Sequence, residues 1–129
     1  MKSSKAVIAI LLSTIWISIS EFTRNQVLFA KLWKDHYSNL GLVFPDSPMN
    51  GAIWGVWSLC LAIATFFISK KFSLIQTTLI TWLTAFVMMW LVIGNLNVLP
   101  FKLLIFAIPL SILEAFLATL IINMFKKKE

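Results

Sequence analysis

The sequence predicts an all-α membrane protein, a polytopic bundle of four transmembrane helices with an interfacial or extended helical segment in the first outer loop. Of the 129 residues, 60% are hydrophobic and only 12% are charged, whereas ordinary soluble domains have roughly 45–50% and about 25%. A soluble domain of this length could not bury so much apolar surface. The composition therefore excludes a disordered chain, a secreted disulfide scaffold and an ordinary soluble enzyme.

Four apolar stretches are each long enough to cross a bilayer core, which takes roughly 20 helical residues. A long outer segment separates the first two stretches, and two short connections separate the others. All four belong to one membrane domain that covers residues 1–129. The predicted spans lie at about residues 6–22, 51–69, 73–93 and 100–125, with the outer segment at 23–50.

The basic residues predict the orientation of the spans. Seven of the eleven lysines and arginines fall in three places that four crossings put on one side: Lys2 and Lys5, Lys70 and Lys71, and Lys126 to Lys128. The positive-inside rule then predicts a multi-pass protein of the plasma membrane with both termini in the cytoplasm. In an alternative interpretation, residues 1–20 are a signal peptide that is cleaved near Ser20, which leaves three spans in the same orientation.

The outer segment contains a helical pattern. Leu28, Phe29, Leu32, Trp33 and His36 fall on one face of a helix, and charged residues lie largely opposite. Such a stretch either lies in the membrane interface or extends the first helix out of the membrane. After this segment, an asparagine at position 50 predicts the N-cap of the second span.

Glu114 is the charged residue placed deepest in a predicted span. It lies 12 residues before Lys126 and 14 after Pro100, which corresponds to roughly 18 and 21 Å along a helix. This position is close to the bilayer midplane, where a charge costs several kcal/mol on insertion scales. Ser111 shares its helical face, so we expect a polar region around Glu114.

Helical rise predicts which other polar residues reach the same depth. In each span one polar residue lies 12 or 13 residues from a cytoplasmic lysine, or about 18–20 Å. We expect these residues to surround Glu114 in one layer, with Thr81 on the same face of the third span. The predicted layer consists of Ser18, Ser58, Thr84 and Glu114.

Two interpretations of this layer stay open. In one, a protonated Glu114 donates a hydrogen bond and holds the bundle together. In the other, Glu114 exchanges a proton for a cationic or polar solute. Glu21, near the outer boundary, pairs with Arg24 three residues along the helix, or else it lines a vestibule that leads to the layer.

Two functional hypotheses follow. The first is a proton-coupled carrier or channel that uses Glu114, acting as a homo-oligomer through the small-residue face of Gly51 and Gly55. The alternative is a non-transporting accessory protein that contacts a membrane-protein partner through its outer segment and helix faces. The sequence contains no catalytic motif, and one cysteine and one histidine do not make a metal site. We therefore expect no enzyme activity, cofactor, metal or nucleic-acid partner, and the lipid bilayer as the surroundings.

Overall fold

The computed structural model describes residues 2–126 and contains only helices and turns within that range. A π-helical turn at Thr23–Leu28 continues the first helix, and a second one at Leu83–Val87 joins the fourth helix to the fifth. A 3₁₀ turn at Phe101–Leu103 precedes the last helix. The helices are α1 (Ser3–Phe22), α2 (Ala30–Asn39), α3 (Pro48–Ile68), α4 (Leu74–Trp82), α5 (Met88–Asn95) and α6 (Leu104–Lys126).

These elements form four helical rods that are long and apolar enough to cross a membrane. The prediction of an all-helical chain with four such helices is confirmed for the described residues. The first rod is longer than expected because the π-helical turn carries it six residues beyond α1. The four spans are Ser3–Leu28, Pro48–Ile68, Leu74–Asn95 and Phe101–Lys126.

Reciprocal side-chain caps begin the second and third spans. Ser47 is the N-cap of α3, and Asn50, at the third helical position, pairs with it in a capping box. The prediction that Asn50 is itself the N-cap is therefore wrong, because Pro48 at the first helical position starts the helix earlier. Ser73 and Gln76 form the same arrangement at the start of α4.

The first and last spans contribute most of the packing between helices. The first span contacts α3 and α6, and α6 also contacts α3 and α4. Ser13 Oγ donates to the Ala118 carbonyl, and Trp16 Nε1 donates to the Glu114 carbonyl. Because the partner residue number falls as the first-span number rises, α1 and α6 run antiparallel.

The π-helical turn in the third span changes which side chains face the interior. An uninterrupted α-helix turns about 100° per residue, so Phe86 would lie opposite Thr77. The structure buries both side chains, because the wider π-helical turn displaces the residues within and after it around the axis. Phe86 thereby enters the core formed with Ile17, Leu61, Ala62 and Ala118.

The segment between the first two spans folds back as a separate helix. The backbone leaves the helical conformation at Phe29, and α2 begins at the next residue. His36 Nε2 donates to the Asn97 carbonyl over 2.8 Å, which ties α2 to the turn before α6. The ring of Trp33 stacks on Phe44 at 5.6 Å between centroids, and Tyr37 packs edge-on against the same ring.

Candidate functional site: a buried Glu21–Arg24–Glu114 cluster

Buried polar contacts join Glu114 to the end of the first span. Arg24 Nη1 donates to Glu114 Oε2 over 2.8 Å, and its other terminal nitrogen donates to Glu21. Ser20 Oγ donates to the same Glu114 oxygen over 3.0 Å, and Asn25 Nδ2 donates to Glu21 Oε2 over 2.9 Å. Glu21, Arg24 and Glu114 are each at most 5% exposed. We call these three residues the Glu–Arg–Glu cluster.

The charges of this cluster do not balance when both acids are ionised. Two carboxylates then face one guanidinium, which leaves one net negative charge in a buried site where charge is costly. Glu114 Oε1 is buried and has no hydrogen-bond partner within residues 2–126. One proton bound to either acid would neutralise the cluster.

Side-chain direction explains why residues from different depths meet. In an α-helix each Cα–Cβ bond tilts toward the helix N-terminus. Glu21 and Arg24 therefore lean back along the first span, and Glu114 leans the opposite way along the antiparallel α6. These tilts bring the carboxyl and guanidinium groups together although their Cα atoms differ in depth.

An aromatic ring completes the surroundings of the guanidinium. The Arg24 Cζ atom lies 5.2 Å from the centroid of the Phe86 ring. This geometry is favourable because the face of an aromatic ring carries partial negative charge. The π-helical turn that turns Phe86 inward therefore also contributes to holding Arg24.

Two cavities reach the cluster. The larger has a volume of about 540 Å³ and is lined by Glu21 and by polar side chains of α1 and the start of α3. The smaller, about 230 Å³, is lined by both Glu21 and Arg24. A water molecule occupies about 30 Å³ in the liquid, so each cavity has room for a solute larger than water. Aromatic rings form much of the smaller cavity: Trp33, Tyr37, Phe44, Trp54, Phe86 and Trp90.

The structure brings together only part of the predicted layer. Glu114 and Glu21 belong to one cluster, and Ser18 and Ser58 line the larger cavity beside Glu21 rather than contacting Glu114. The Ser58 hydroxyl donates to the Trp54 carbonyl. Among the described residues neither serine hydrogen-bonds to Glu114, and their shared depth with Glu114 stays a prediction.

The remaining predicted residues lie elsewhere. Thr84 is exposed and donates to the Ile80 carbonyl, so the expectation that it faces Glu114 is wrong, in line with the π-helical displacement. Thr81 is buried but lies 3.5 Å from the Thr65 hydroxyl on α3. Ser111 accepts a hydrogen bond from Trp82 Nε1 and links α6 to α4.

The sequence analysis missed Arg24 and Ser20 as partners of Glu114, and Asn25 as a partner of Glu21. It placed Arg24 at a membrane boundary, because depth was counted from Cα positions alone. The tilt of helical side chains toward the N-terminus, applied to antiparallel spans, would have brought Arg24 and Glu114 within reach of each other.

Two further expectations concern metal ions and oligomers. The described residues contain no group of three or more His, Cys, Asp or Glu side chains that could hold a metal ion. Gly51 and Gly55 line the larger cavity, and a Cβ atom at either would meet nothing within 4 Å. Their small-residue face is thus uncovered in the single chain.

Comparison with protein-family models, with curated proteins and with solved structures gave no match.

Proposed function

We propose that this protein is a small integral membrane carrier that exchanges a proton for a small cationic or polar solute at the Glu–Arg–Glu cluster. The observation that carries the proposal is the pairing of two buried carboxyl groups with a single guanidinium, beside cavities that reach Glu21 and Arg24. Such a cluster is neutral when it holds one additional positive charge. A proton and a solute cation are alternative sources of that charge, so binding of one favours release of the other.

The proposal assigns separate roles to the three residues. Glu114 is the proton-exchanging acid, since one of its oxygens has no partner within residues 2–126. Arg24 fixes the orientation of both carboxyl groups through two different nitrogens. Glu21 lines both cavities and is the acid that an entering solute meets first.

A flux assay in liposomes tests the proposal. Proteoliposomes with a pH-sensitive dye inside receive a proton gradient, and Na⁺, K⁺, ethylammonium or choline is then added outside. We expect at least one cation to dissipate the gradient with the parent protein, and Glu114→Gln to abolish this response. Asp35→Asn makes the same chemical change at an exposed carboxylate and should respond like the parent.

The assay also separates this proposal from an accessory role. An accessory role is favoured by the exposed apolar tip after α2, where Leu42 is 51% and Val43 is 91% exposed. If Glu114→Gln folds and its dye response equals that of the parent with every cation, the carrier proposal is wrong. The accessory role through the outer segment then becomes the leading hypothesis.

A further inference from the structure

Two lysine ammonium groups converge on one aromatic ring at the end of the bundle where α3 ends and α4 begins. Lys70 Nζ lies 4.7 Å from the centroid of the Phe66 ring, and Lys126 Nζ lies 6.0 Å from the same centroid. The Lys126 ammonium also donates to Ser69 Oγ. The α3–α4 turn and the end of α6 thus place two positive charges near the same aromatic ring.

The carboxylates described in the structure do not neutralise these charges. Glu21 and Glu114 bind Arg24, Asp35 pairs with Lys31, and Asp46 pairs with Lys34. The fifth acidic side chain of the sequence, Glu129, lies outside the described residues. Converging like charges repel each other unless an anion lies between them.

We propose that Lys70 and Lys126 bind one phosphate group, supplied by the headgroup of an anionic phospholipid. Ammonium groups are donors, and phosphate oxygens are strong acceptors. The Ser69 hydroxyl donates to the Phe66 carbonyl and accepts from Lys126, so Ser69 positions the Lys126 ammonium rather than binding the phosphate itself. The Phe66 ring that both ammonium groups approach is itself buried. Lipid headgroups lie at the ends of membrane spans, where basic pockets between helices bind them. This inference does not depend on the proposed transport function.

Native mass spectrometry of the full chain in detergent micelles tests the site. The micelles contain phosphatidylglycerol and phosphatidylcholine in equal amounts, and a separate titration uses inorganic phosphate. Every protein carries Glu129→Gln, so that this carboxylate does not enter the comparison. The variants are Lys70→Gln, Lys126→Gln and the double variant, with Lys31→Gln as a matched control at an exposed lysine.

We expect the parent to retain phosphatidylglycerol in preference to phosphatidylcholine. Each glutamine at the site should lower that preference about fivefold, which corresponds to ~1 kcal/mol for one lysine near an anionic surface. Lys31→Gln should leave it unchanged, and Lys70→Arg should retain it because the charge is kept. These last two variants distinguish loss of the site from loss of folding.

Three outcomes would overturn the inference. The first is equal retention of the two lipids by the parent, and the second is an unchanged preference in the double variant. The third concerns the source of the phosphate. Lysine-dependent binding of inorganic phosphate without any preference for phosphatidylglycerol would show that the site serves a free anion rather than a lipid.

Discussion

Arg24 is the residue that makes a buried pair of acids compatible with folding. It donates to Glu114 and to Glu21 through separate nitrogens, and its residue surface is 5% exposed. Charges in such surroundings are stable only when they are paired and hydrogen-bonded. Removing the guanidinium leaves two buried carboxyl groups without a cation, whereas removing one carboxylate leaves a neutral pair.

This asymmetry predicts different costs for the two single substitutions. Arg24→Gln should lower the free energy of unfolding by about 3–5 kcal/mol, the usual cost of breaking a buried ion pair from one side. Glu114→Gln should cost less, because Glu21 and Arg24 still neutralise each other. The measurement is unfolding in mixed micelles of increasing denaturing-detergent content, with Lys102→Gln, at an exposed lysine, as the control.

The double variant Arg24→Gln, Glu114→Gln completes the thermodynamic cycle. It should be more stable than Arg24→Gln alone, because only one carboxyl group then lacks its cation. If the cost of the double variant equals the sum of the two single costs, Arg24 and Glu114 are energetically independent, contrary to the contact between them.

At this scale the sequence predicted the unusual residue but not its partners. Glu114 stands out because a carboxyl group near the middle of an apolar stretch is costly, and the structure buries it fully. The pairing of Glu21 with Arg24 was also predicted and is present. The contact between Arg24 and Glu114 depends on which spans are neighbours, and depth counting in separate helices contains no information on neighbours.

At the scale of the elements, two features are connected to the cluster. The π-helical turn at Leu83–Val87 turns Phe86 toward Arg24. The outer helix α2 carries Trp33, whose Nε1 donates to Asn25 Oδ1 over 3.1 Å. Because Asn25 also binds Glu21, the outer helix is connected to the cluster through one side chain.

Trp33→Leu should loosen α2 without unfolding the spans. The substitution removes one hydrogen bond and the stacking on Phe44. Together these contacts are worth on the order of 1–3 kcal/mol, so amide hydrogen exchange in Ala30–Asn39 should accelerate by about fivefold to 150-fold. Phe72→Leu, an exposed aromatic in the α3–α4 turn, is the control. Exchange that is equally slow in both variants would show that Trp33 does not fasten the helix.

The elements themselves were largely predictable, and their irregularities were not. Apolar length identified four spans, and the amphipathic pattern identified a helix between the first two. The π-helical turns have no marker in the local sequence, since neither contains proline or glycine. The outward position of Thr84 and the inward position of Phe86 follow from the π-helical turn and from packing between spans. Neither can be predicted from the sequence of one span alone.

At the scale of the whole molecule, the exposed apolar spans and the buried Glu–Arg–Glu cluster support a membrane protein with a polar site in its interior. Long apolar surfaces of all four spans remain exposed in the single chain, as lipid-facing helices require. The cytoplasmic position of both termini and an oligomer through Gly51 and Gly55 stay predictions. The central claim concerns the interior: the Glu–Arg–Glu cluster holds one exchangeable proton.

Infrared spectroscopy of the membrane-reconstituted protein tests that claim most directly, because a protonated carboxylic acid has a carbonyl band that a carboxylate lacks. At neutral pH the parent should show one such band, and it should shift when water is replaced by heavy water. Glu114→Gln should abolish it, because Glu21 and Arg24 then form a neutral pair, whereas Asp35→Asn should leave it intact. A parent spectrum without the band, or an undiminished band in Glu114→Gln, would contradict the account.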